Sequence, residues 1–76
     1  MKHDVAKQVL AIAQRVTTEM DASISLVQNE CSDEEFAEYR KAAGRVMGYL
    51  FADIVRPILQ EHPDLVPEEM KHGKKG

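Results

Sequence analysis

Residues 32–61, SDEEFAEYRKAAGRVMGYLFADIVRPILQE, put apolar side chains around more of one helix than a single neighbouring helix can cover. Ser32 opens the stretch. Ser32-x-x-Glu35 is a capping box, in which the serine oxygen accepts the N3 amide and the glutamate reaches back to the serine amide. Cys31 and Phe36 flank it at the spacing of a hydrophobic staple. Downstream, Phe36, Tyr39, Ala43, Val46, Met47, Leu50, Ile54 and Ile58 form one stripe at helical spacing. Ala37, Gly44, Gly48, Phe51, Val55 and Leu59 form a second stripe beside it. Pro57 lacks an amide and clashes with the carbonyl four residues earlier, so a kink or a restart is expected there. Pro63 ends the helix at or before His62.

The residues upstream supply one partner helix, from about Asp4 as N-cap to Gln28. Val5, Val9, Ile12, Ala13, Val16, Met20, Ile24 and Val27 recur at a mean spacing of about 3.67, that of a nearly straight helix. They define a stripe about 120° wide, enough for one core. Gln28–Cys31 breaks the period, and Asn29 is suited to a left-handed helix end. So short a turn makes the two helices antiparallel neighbours. The expectation is an all-α antiparallel helical hairpin over residues 1–70. It closes with a short C-terminal cap around Leu65 and Val66, and residues 71–76 form a disordered tail.

A 76-residue chain buries a small core and usually needs a disulfide, a metal or oligomerisation. Cys31 is the only cysteine, which rules out an intrachain disulfide and suggests a reducing compartment. The net charge of −3 argues against nucleic acid and anionic membranes as partners. No apolar run is long enough to span a bilayer, and residues 1–8 are polar. These features suggest a soluble cytoplasmic protein. The acids Glu30, Asp33, Glu34, Glu35 and Glu38 gather at the start of the second helix, where they complement its dipole.

The unpaired second stripe then points to a homodimer that builds a four-helix bundle, with Gly44, Gly48, Phe51, Val55 and Leu59 at its interface. Glycines four residues apart permit close backbone approach between helices. Arg45, Tyr49, Asp53 and Arg56 occupy an outer face, and tyrosine and arginine are common anchors of protein contacts. They are candidates for binding a second protein, against the plainer account of a solvated face.

No catalytic constellation is apparent. Cys31 has no basic neighbour in sequence, Glu69-x-x-His72 stands alone as a ligand pair, and there is no phosphate loop. The expected function is therefore that of a small non-catalytic interaction or regulatory protein, without cofactor or metal. The alternative is a bundle that binds a small ligand or metal between subunits, near Tyr39, Arg40 and the proline. A buried, paired Arg40 would favour that alternative, and a solvated one the interaction protein.

Overall fold

The computed structural model describes residues 1–66. The proposed tail and the Glu69–His72 pair lie outside the described residues. Within them the chain is helical, with no strand, and two long helices pack together. Helix α1 spans His3–Glu30 and helix α2 spans Asp33–Leu50. A π-helical turn, Phe51–Val55, continues α2 into a short helix α3, Arg56–Glu61, and a 3₁₀ turn follows at Pro63–Leu65.

The tight connection behaves as its local chemistry demands. Ser32 is the N-cap of α2, and both bonds of its capping box form: Glu35 N–H donates to Ser32 Oγ at 3.2 Å, and Ser32 N–H to Glu35 Oε1 at 3.3 Å. The end of α1 differs from expectation. Asn29 stays helical, no described residue has a positive φ, and the helix stops at Cys31 in extended conformation. The Cys31 amide still donates to Val27 O at 2.9 Å, so no left-handed residue is needed to complete the turn. Cys31 is exposed. At the other end, Lys2 rather than Asp4 is the N-cap, and Asp4 lies in the first turn, where its charge suits the dipole.

The helices are antiparallel: Ser23 meets Tyr39 two turns from the connection, and His3 meets His62 and Asp64 at the open end. The face of α1 that α2 covers is rotated from the stripe read in the sequence. Ala6, Leu10, Ala13, Thr17, Met20, Ile24 and Val27 are the buried or half-buried positions, with Val9 and Ser23 beside them. Their steps alternate four and three, the 3.5-residue spacing of helices packed as a coiled coil. Val5, Ile12 and Val16 fall outside this seam and are exposed. Two features moved it. Ala6 and Ala13 are small enough to let the backbones approach. Thr17 is tolerated inside because its hydroxyl donates to Ala13 O at 3.1 Å, within its own helix.

The π turn likewise redirects the end of the long helix. Pro57 has no amide to give the Asp53 carbonyl, and Arg56 N–H bonds Phe51 O, five residues back. Backbone angles at Val55 and Arg56 stay helical, so the helix neither ends nor restarts; it takes in an extra residue. The inward positions therefore run Ala43, Met47, Leu50, Val55, Ile58, with a step of five across the wide turn. Ile54, which a regular helix would turn inward, is 44% exposed.

Among the described residues, only Ala6, Ala13, Ala43 and Ile58 are buried hydrophobic residues. Three of these side chains are single methyls, each worth about 0.8 kcal/mol of burial. The hairpin seam is therefore close but thin.

Candidate functional surfaces

Each side of this seam carries apolar groups that no described part of the chain covers. On one side, Leu10 and Ala11 of α1, Phe51, Val55 and Leu59, and Leu65 of the final turn line a groove of about 650 Å³. Phe51 is 44% exposed, and Val55 and Leu59 are half-buried. Lys7, Gln14 and Thr18 supply a polar rim from α1. Gly44 and Gly48 are exposed, and a Cβ added to either would meet nothing within 4 Å. Nothing among the described residues therefore requires glycine at these two positions. On the other side, the helical wheel places Val5, Ile12 and Val16 of α1 with Val46 of α2, all exposed.

Arg45, Tyr49, Asp53 and Arg56 are all exposed. The π turn separates them, because one extra residue rotates everything after it by about 100°. Arg45, Tyr49 and Asp53 precede that shift or lie within it, while Arg56 follows it and leaves their row. Asp53 borders a shallow depression with Met1, Ile54, Pro57, Ile58 and Glu61. Arg40 is exposed and forms no ion pair among the described residues. Tyr39 is half-buried, with its hydroxyl 2.7 Å from Ser23 Oγ.

The open end of the hairpin gathers polar groups that lie far apart in sequence. His3 Nε2 is 2.7 Å from Asp64 Oδ2. The His3 and His62 rings meet edge to face, 5.3 Å between centroids and 81° between planes. His62 Nε2 lies 2.9 Å from the Met1 carbonyl oxygen, and the Met1 amino group donates to the Glu61 carboxylate at 3.2 and 3.3 Å. The hydrogen bond with His3 lowers the Asp64 carboxyl below its ordinary range, against a smaller opposing effect of desolvation.

Local motifs and periodicity do not bring His3, His62 and Asp64 together, because His3 lies some sixty residues from the other two. One signal was available: in an antiparallel hairpin with a two-residue turn, residue 3 must lie near the end of the return helix. No helix among the described residues is long and apolar enough to cross a bilayer. No protein-family model matches the chain, and no similar curated protein or solved structure was found.

Proposed function

We propose that the protein is a non-catalytic interaction module that acts as a homodimer, with two hairpins forming a four-helix bundle across the groove at Phe51, Val55 and Leu59. The observation that carries this reading is the imbalance between a seam whose fully buried members, among the described residues, are three alanines and one isoleucine and the larger apolar groups left exposed on both sides of it. Soluble monomers rarely leave such surfaces contiguous. A second copy is the simplest occupant, since a two-fold axis would bring the groove of one chain against that of the other. The open space above Gly44 and Gly48 would admit a helix backbone. Arg40, exposed and without an ion pair among the described residues, favours an interaction protein over a buried ligand site between subunits. Arg45, Tyr49 and Asp53 then remain on the outside of the bundle, available to a second protein.

Sedimentation equilibrium of the wild type, Phe51→Glu and Gly48→Ala tests the proposal. In an isolated hairpin, Gly48→Ala should stabilise α2 by about 1 kcal/mol, because alanine is the better helix former and the added methyl touches nothing. In the bundle the same methyl is pressed against the partner, and dimerisation weakens. Phe51→Glu should yield monomers, since it would bury a charge without a partner. A wild type that sediments as a monomer of 8.6 kDa at micromolar concentration overturns the proposal.

A further inference from the structure

From the geometry of the open end we infer that His3, His62 and Asp64 form a binding site for a divalent transition-metal ion of the zinc type, which ties the first turn of α1 to the turn after α3. One ligand atom from each residue lies within 4.8 Å of the other two. A tetrahedral ion with bonds of about 2.0–2.1 Å sets its ligands about 3.3–3.4 Å apart. The His3–Asp64 pair, 2.7 Å apart around a shared proton, opens slightly when the ion replaces that proton. The wider pairs close by side-chain rotation. His3 and Asp64 have room for this, with side chains 48% and 65% exposed.

The chemistry of the donors selects the ion. Two imidazoles and one carboxylate suit zinc and its neighbours in the first transition row, whereas calcium and magnesium require oxygen-rich shells. Three protein ligands leave a fourth position for water. The near-perpendicular rings let both imidazole edges approach one point without stacking. His62 is the more fixed of the two imidazoles, with a side chain only 15% exposed.

The location gives the ion a structural purpose. The short turn joins the helices at one end, while the other end is held by exposed polar contacts and by Ile58. A metal linking residue 3 to residues 62 and 64 closes a loop of most of the chain, where loop closure removes the most freedom from the unfolded state. Small domains with thin cores commonly rely on such a staple. A plain surface ion pair between His3 and Asp64 is the competing account, and it requires no metal.

The experiment is titration of the full-length, metal-stripped chain with zinc chloride by calorimetry and with cobalt chloride by visible absorption. The expected result is one ion per chain, the intense visible bands of tetrahedral cobalt, and a rise in melting temperature with added zinc. His3→Ala, His62→Gln and Asp64→Asn should each weaken zinc binding by more than about tenfold, beyond the lower bound for losing an outer-shell partner. His3 and Asp64 are exposed, so their variants test the site without disturbing the helix seam. His72→Ala, altered outside the described residues, should bind as the wild type does. The inference is overturned if the wild type shows no saturable binding, if cobalt gives only the faint spectrum of its aqueous ion, or if binding survives His3→Ala and Asp64→Asn.

Discussion

The two ends of the hairpin are held together in opposite ways. At the closed end, Ser32 and Glu35 cap α2 through hydrogen bonds between residues three apart, and the Cys31 N–H completes α1 by donating to the Val27 carbonyl oxygen. At the open end, the bonds join residues some sixty positions apart: Met1 to Glu61, Met1 to His62, and His3 to Asp64. Local bonds form as soon as a helix starts, and they cost little chain entropy. The distant ones exist only when both helices are complete and in register. The closed end should therefore be the more persistent part of the molecule, and the open end the part that frays first and gains most from any ligand.

The strongest way to break this contrast is at Ile58, the single large side chain buried among the described residues. Ile58→Ala should cost about 2–5 kcal/mol, as for other buried large-to-small changes. The loss should be concentrated at the open end. Hydrogen exchange should show Ala6 and Ile58 losing protection before Glu35 and Phe36, while urea denaturation gives the total. Equal loss at both ends would mean that the hairpin opens as one unit.

Ser32→Ala attacks the other end and should cost about 1 kcal/mol through the lost cap. A chemical-denaturation midpoint that does not move would show that the box contributes nothing despite its geometry. Tyr39→Phe lies between the two ends and removes the bond to Ser23. It should cost about 0.5–1.5 kcal/mol, measured by the same denaturation. Ser23 Oγ keeps its contact with Met20 O at 2.7 Å, which places the expected value at the lower end.

The smallest effect is a pH dependence confined to the open end. The Asp64 carboxyl is lowered chiefly by its hydrogen bond with His3, so the folded state favours its ionised form. Its contribution to stability is therefore fully present above the ordinary carboxyl value of 3.8 and is lost as pH falls through the still lower folded value. In buffer containing a chelator, the wild type should melt slightly above Asp64→Asn at pH 5.5, and the difference should vanish near pH 2. A difference that grows on acidification would assign the effect to another group.

Much of the closed end could be read from residues 28–36, because a capping box is a local device whose parts lie within one turn. The seam was less legible. The more apolar stripe through Val5, Ile12 and Val16 competed with one through Ala6, Leu10 and Thr17, and hydrophobicity favours the first. The fold uses the second, since close approach depends on small side chains and a threonine can satisfy its own hydroxyl within the helix. The wide turn at Phe51–Val55 escaped a reading based on regular period, although Pro57 marked the place where that period would fail. It is why Val55 rather than Ile54 faces inward, and why Arg56 leaves the row of Arg45 and Tyr49.

The sequence by itself determined two long helices, the capping box that starts the second, and the end of that helical run before Pro63. All of these follow from caps, prolines and apolar periodicity within a few residues. Only the tertiary structure decided which face of α1 meets α2, how the helix absorbs Pro57, and that His3, His62 and Asp64 converge. Those outcomes depend on how close two backbones can come and on how far a register shift propagates along a helix, which no single segment encodes.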